Sequence, residues 1–180
     1  HLAALVLSTL PPRTASHHRA LGTAYRLMER SQESIRELRV AESLEPDSAE
    51  TQYELALSHK QAGQAAQAIS ALEKAVGFGP TEALYHYQLG LMLHDAEKDH
   101  EASRALGKAT ELNPDVAQWH DTLGDVYTKQ GRSHLALERY LRAAELAPEE
   151  PQYLHNAALA YAAKGNDKQA AALLKKAIRM

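Results

Sequence analysis

The 180 residues include no cysteine, one tryptophan, one phenylalanine and only nine glycines. Without cysteine there are no disulfides and no thiolate metal sites, and since oxidising and reducing compartments both tolerate that absence, neither cytoplasm nor periplasm is favoured. So few glycines on an alanine-rich background leave little chain for long loops. An excess of positive charge is also missing: 20 basic residues face 23 acidic ones, a net charge of −3, which argues against a groove for nucleic acid. No apolar run is long enough to span a membrane. The run Leu2 to Leu7 lacks a basic flank and is too short to cross a bilayer, so it does not read as a signal sequence. Nothing alternates with a period of two, so no strands are expected. Glycine-rich phosphate loops, nucleophile elbows and HExxH runs are absent too. No catalytic residue is assigned, and the segment is expected not to be an enzyme.

What the chain does contain is a period. Pro46, Pro80, Pro114 and Pro148 stand 34 residues apart, each closing a segment with the same apolar and small residues at the same offsets. An uninterrupted period of that length marks an array of identical supersecondary units, each burying its apolar face against the next. Five units follow, at 15–48, 49–82, 83–116, 117–150 and 151–180. Residues 1–14 fall in the phase of the second helix of a preceding unit, since Pro12 also precedes Pro46 by 34.

The first half of each unit carries a pair followed by a larger side chain three places on, as in Leu21-Gly22 with Tyr25 and Leu123-Gly124 with Tyr127. The second half repeats Ala68, Leu72 and Ala75 as Ala102, Leu106 and Ala109, then as Ala136, Tyr140 and Ala143. Spacings of three, four and seven place these residues on one helical face, so each unit reads as two amphipathic helices. Gly63, Gly131 and Gly165 stand midway, where positive φ ends the first helix; units one and three have Glu29 and Glu97 there and should turn less comfortably. The spaced prolines end the second helices, Asp47 and Asp115 are candidate caps for the next, and Pro151 suits a first helical turn.

At this point the pattern resembles the tetratricopeptide repeat, a 34-residue helix-turn-helix with L-G-x-x-Y, A-x-x-x-F and P at fixed places. Leu123-Gly124-x-x-Tyr127, followed by Ala136, Tyr140, Ala143 and Pro148, is the nearest match, and the resemblance covers residues 15 to 180. It implies an all-α, right-handed α-solenoid of stacked repeats, without a cofactor, whose inner wall is lined by the first helix of each unit. Carried onto this chain, the wall comprises Ser16, Arg19, Thr23 and Arg26, then Glu50, Tyr53, Glu54, Leu57 and Lys60. It continues with Leu84, Tyr87, Gln88, Leu91 and His94, then Asp121, Thr122, Asp125 and Thr128, and finally Gln152, His155, Asn156 and Leu159.

On that wall Tyr53, Leu57, Tyr87 and Leu91 are expected to form an apolar stripe flanked by carboxylates and amides, suited to an extended or helical peptide with basic groups for Glu54, Asp121 and Asp125. The function expected is a non-catalytic scaffold or adaptor that binds a peptide or partner protein in its groove. The alternative is a structural or assembly subunit of a larger complex, contacting partners through its ends and convex face. The lysine and asparagine clamp with which some family members hold acidic chaperone tails is not reproduced. In one frame its places read Arg19, Thr23, Glu54, Leu84 and Gln88. The sixth place, with Ala20, Glu54, Gln88, Thr122 and Asn156, lacks the asparagine ladder of the O-GlcNAc transferase superhelix.

Charge is uneven along the chain. Residues 15–150 hold 14 basic and 22 acidic side chains, whereas 151–180 hold five and one. Lys164, Lys168, Lys175, Lys176 and Arg179 suit an acidic partner or anionic lipid, or are solvated faces and charges favourable near a helix C-terminus. Of the ten histidines, His18, His86 and His120 recur at one place of the repeat. His86 and His120 with Asp121 could in principle approach a zinc ion, but two imidazoles make an incomplete site, so no metal is assigned. Leu173, Leu174 and Ile178 give the last helix an apolar face with no following helix to cover it.

Overall fold

The computed structural model describes residues 14–179. These form ten α-helices and, among the described residues, no strand: α1 Ala15–Leu27, α2 Ser31–Leu44, α3 Ala49–Gln61, α4 Ala65–Phe78, α5 Ala83–Asp95, α6 Asp99–Leu112, α7 Ala117–Lys129, α8 Ser133–Leu146, α9 Pro151–Ala163 and α10 Asp167–Ile178. The expected remnant of an earlier helix at 1–14 lies outside the described residues except for Thr14, whose Oγ1 caps α1 by accepting from the His17 amide at 3.3 Å. The chain divides into two compact units, one ending at Met92 and the other beginning at Leu93.

In the first unit α1 packs on α2, α2 on α3 and α3 on α4, and α1 also reaches α3. Small residues permit this approach. A Cβ placed on Gly22 would lie 2.5 Å from Leu38 Cγ, while Leu38, Ala41, Ala68 and Ala75 are wholly buried. In the second unit α6 packs on α7, α7 on α8, α8 on α9 and α9 on α10. Ala102, Leu106, Ala109 and Ala143 take the corresponding buried places there. The phased alanines and leucines are thus the core.

The midway turns repeat one geometry. After α1 the Glu29 amide bonds to the Arg26 carbonyl and the Arg30 amide to the Tyr25 carbonyl, both at 2.9 Å. The same pair of bonds recurs at Gly63 and Gln64, Glu97 and Lys98, Gly131 and Arg132, and Gly165 and Asn166. This is the Schellman arrangement, which needs a left-handed residue after the helix. Gly63, Gly131 and Gly165 adopt it at φ of 72, 73 and 72°. Glu29 and Glu97 adopt it as well, both at 60°, so these two side chains accept a conformation that costs an L-residue roughly 1–2 kcal/mol.

Two expectations about caps change. Asp47 does not cap α3: Ser48 does, its Oγ accepting from the Thr51 amide at 3.2 Å. Asp115 does not cap α7 either, because Val116 occupies the cap position, without a side-chain bond, and Asp115 lies 3.5 Å from Arg142. Each aspartate stands one residue too early for the hydrogen bond. Pro151 does open α9.

Candidate functional site

In the first unit the first helices of successive repeats, α1, α3 and α5, line an open cavity of about 610 Å³. Ser16, Arg19 and Thr23 come from α1, Glu50, Tyr53 and Glu54 from α3, and Leu84 and Tyr85 from α5. Tyr53 stacks on Tyr85 with ring centroids 4.9 Å apart and planes inclined at 33°. Leu84 beside them is 42% exposed. Burial raises both phenols above their ordinary range, helped by Glu54 at Tyr53 and by Glu50 at Tyr85. Both stay protonated hydrogen-bond donors at neutral pH.

Two of the three carboxylates of this cavity, Glu50 and Glu54, already have a cation, whereas Glu82 has no ion pair among the described residues. Arg26 Nε lies 3.0 Å from Glu54 Oε2, and Arg19 reaches Glu50 Oε2 at 2.9 Å. The expectation that Glu54 meets a basic group of a ligand is corrected accordingly: α1 already supplies the cation. The apolar stripe is also shorter than expected. Tyr85 and Tyr87 are both buried, with 8% and 6% of their surface exposed, and only Tyr85 borders the cavity. Leu57, Gln88 and Leu91 are half-buried. Tyr85, adjacent to an expected site residue, is the aromatic group that reaches the cavity. Its signal was the recurrence of large rings at one place of the repeat, with Trp119 and Tyr153 at the following two periods.

The second unit carries a smaller cavity of about 320 Å³ between α7, α8 and α9. Ala136, Leu159, Ala160 and Ala163 give it an apolar lining, and Asp125, Thr128, Tyr140 and Asn156 supply polar groups. Tyr140 Oη donates to Asp125 Oδ1 at 2.8 Å and lies 3.1 Å from Thr128 Oγ1. Burial is the main reason that the Tyr140 hydroxyl is held protonated far above the usual phenol range. One turn earlier on α7, Asp121 Oδ1 accepts from Asn156 Nδ2 of α9 at 2.8 Å. Burial pushes the Asp121 carboxyl up, the Asn156 bond opposes this, and the Asp125 charge adds to it. Among the described residues neither Asp121 nor Asp125 has an ion-pair partner. Thr122 turns its hydroxyl to the Gln118 carbonyl at 2.8 Å, and His155 is exposed outside the cavity lining.

The recurring histidines have structural partners. His86 Nε2 and His120 Nε2 each lie 2.9 Å from a proline-turn carbonyl, those of Pro80 and Pro114, and His18 Nδ1 lies 2.8 Å from Glu37 Oε2. The ring nitrogens at 2.9 Å from carbonyl oxygens must carry protons, so they tether the turns to the helices that follow rather than ligating a metal. No cluster of three or more potential ligands capable of holding a metal ion occurs among the described residues.

Comparison with known proteins agrees with the helix pairing. Sequence profiles described as tetratricopeptide repeat match residues 53–117 and 151–180, and one described as TPR repeat matches 124–165. No curated protein sequence gives a significant match. Among solved structures, the MamA protein superposes with a TM-score of 0.86 at 27% identity, over 92% of this chain and 90% of that one. MamA 41-end from Desulfovibrio magneticus RS-1 gives 0.82 at 21% identity, over 92% and 93%. YrrB, described as a TPR protein with an unusual peptide-binding site, gives 0.81 at 23% identity, over 92% and 85%. Those likenesses extend the α-solenoid fold class over nearly the whole chain, the profiles name its repeating unit, and the phased Leu, Gly, Ala and Pro places supply the reason it stacks: the chain is a tetratricopeptide-repeat protein.

Proposed function

We propose that the protein is a non-catalytic interaction scaffold that captures a peptide or a segment of a partner protein on the faces of its first helices. Interaction scaffolding is the general role that the fold supports, and the description of YrrB as having a peptide-binding site is in keeping with it. The observation that carries the proposal is the Tyr53–Tyr85 pair beside exposed Leu84 in the open cavity of the first unit. Rigid aromatic rings with a polar tip and an adjacent exposed aliphatic group are what binding hot spots are made of. Arg19 and Arg26 are paired with Glu50 and Glu54, and Glu82 is the one lining carboxylate without an ion pair among the described residues.

The test is a selection of binders from a displayed peptide library, followed by affinity measurements on variants. Tyr53→Ala and Leu84→Ser are each expected to weaken the selected peptides about tenfold or more. The melting temperature should fall only slightly, because Leu84 is exposed and Tyr53 is half-buried. Unchanged affinity in both variants overturns the proposal. Tyr87 is not a usable probe, since truncating a buried ring costs about 3–5 kcal/mol of stability by itself.

One observation favours the assembly role as a second reading. Ile178 on α10 is 84% exposed, next to Lys175, Lys176 and Arg179. Under that reading Ile178→Ser changes the sedimentation of a complex that Tyr53→Ala leaves intact.

A further inference from the structure

We infer that the cavity of the second unit is a subsite for a basic side chain, arginine or lysine, presented by the captured peptide together with a neighbouring apolar residue. The inference rests on the proposed capture of peptides and adds what the second unit selects. The chamber, about 320 Å³, has room for an aliphatic side chain, and Leu159, Ala160 and Ala163 give it an apolar wall. At its edge Asp125 is exposed, and its Oδ1 is held in place by the Tyr140 hydroxyl at 2.8 Å. That bond fixes one oxygen, with the phenol donating and keeping its proton.

Charge complementarity selects the occupant. Asp121 lies one turn away on the same helix, tied to Asn156, and no cation within the described residues balances either carboxylate. The basic side chains of α7 and α8 are engaged with other acids: Lys129 lies 3.7 Å from Asp99, Arg139 3.2 Å from Glu138 and Arg142 3.5 Å from Asp115. In the first unit Arg19 and Arg26 neutralise Glu50 and Glu54, leaving Glu82 alone without an ion pair among the described residues. An incoming guanidinium or ammonium meets two carboxylates whose mutual repulsion it relieves, while an acidic peptide meets like charge. An apolar side chain two residues away in an extended peptide lies on the same side as the basic one, so both reach the site together.

The experiment uses three blocked hexapeptides, Gly-Leu-Gly-Arg-Gly-Ser and its versions with Gln or Glu in place of Arg, titrated into the isotopically labelled protein. The backbone cross-peaks of Asp125, Thr128, Asn156 and Leu159 are followed. The arginine peptide is expected to shift them saturably, about three- to tenfold more tightly than the glutamine peptide. That advantage should shrink as salt rises, and the glutamate peptide should be the weakest. In Asp125→Asn, which can still accept the Tyr140 bond, the arginine and glutamine peptides should bind alike. Equal binding of both to the unaltered protein removes the charge inference and leaves peptide capture standing. If no peptide moves these cross-peaks at millimolar concentration, the cavity is not a peptide subsite; capture by the first unit is then judged by Tyr53→Ala and Leu84→Ser alone.

Discussion

Tyr140 reaches across Gly124 to place its hydroxyl 2.8 Å from Asp125 Oδ1, so one ring both fills the space between α7 and α8 and positions a carboxylate of the candidate subsite. At the same place of the other repeats stand Leu38, Leu72, Leu106 and Leu174, which cannot make that bond. A Cβ on Gly124 would lie 2.6 Å from the ring. Gly124→Ala is therefore expected to destabilise the second unit by about 1–3 kcal/mol through overpacking. Tyr140→Phe should cost about 1 kcal/mol for the lost hydrogen bond. Urea melts followed by circular dichroism check both, and a Gly124→Ala protein as stable as the original contradicts the contact.

The two strained turns offer a stabilising change. Glu29 and Glu97 hold φ of 60°, and in the described turns at 63, 131 and 165 that position is glycine. Replacing either glutamate by glycine relieves left-handed strain and gives back part of the gain as chain entropy. The expected net is about 0.5–1 kcal/mol of added stability per site, read as a higher urea midpoint. A lower midpoint in both variants would show that the glutamate side chains hold the turns.

Acidification should find His120. Burial depresses its imidazole below the ordinary 6.5, opposed by the Pro114 carbonyl and Asp115 and reinforced by Arg139 and Arg142. Its Nδ1 is buried without a hydrogen-bond partner. The unfolded chain takes up the proton first as pH falls, so the neutral ring's contribution is intact above pH 6.5 and is lost below it, down to the folded-state value. Between pH 7.5 and 5.0 the original protein should lose more stability than His120→Asn. Parallel melting curves across that range would dismiss this role.

Asp121 works in the opposite direction. Its carboxyl is raised from the ordinary 3.8, chiefly by burial, so the unfolded chain ionises first as pH rises. The folded form then carries a cost that is absent below pH 3.8 and complete above the raised value. Asp121→Asn should stabilise the protein at pH 7, by about 0.2–0.5 kcal/mol from the removed i,i+4 repulsion with Asp125 alone, and give no such gain at pH 3. It should also weaken the arginine hexapeptide. A gain of equal size at both pH values rules out the electrostatic cause.

The repeat was legible because every unit poses the same packing problem and the chain answers it with the same small residues. Ala41, Ala75, Ala109 and Ala143, all wholly buried, announce themselves by spacing alone. The candidate site was legible in part. Tyr53, Glu54, Leu84, Asp125 and Asn156 line the two cavities, as their places in the repeat lead one to expect. Tyr87 lines neither cavity, and Tyr85, equally buried, stacks on Tyr53 instead. Residues two apart on a helix point about 200° from one another, so Tyr85 and Tyr87 cannot both face the cavity, and the side of α5 that packs toward α3 decides which ring does. Asp47 and Asp115 likewise lost the capping role by a single residue.

Periodicity in the chain determined the class of structure, the helix pairs and the buried alanines, because those depend on local spacing and side-chain volume, which each repeat restates. Only the tertiary structure decided which charges remain unbalanced. Arg26 meets Glu54 across 28 residues, and Asn156 meets Asp121 across 35. Such pairings depend on how far a side chain reaches between neighbouring helices, a distance of a few ångströms that residue order does not encode position by position. That is why Glu50 and Glu54 of the first unit arrive paired with arginines while Asp121 and Asp125 of the second do not, although both are built from the same repeating unit.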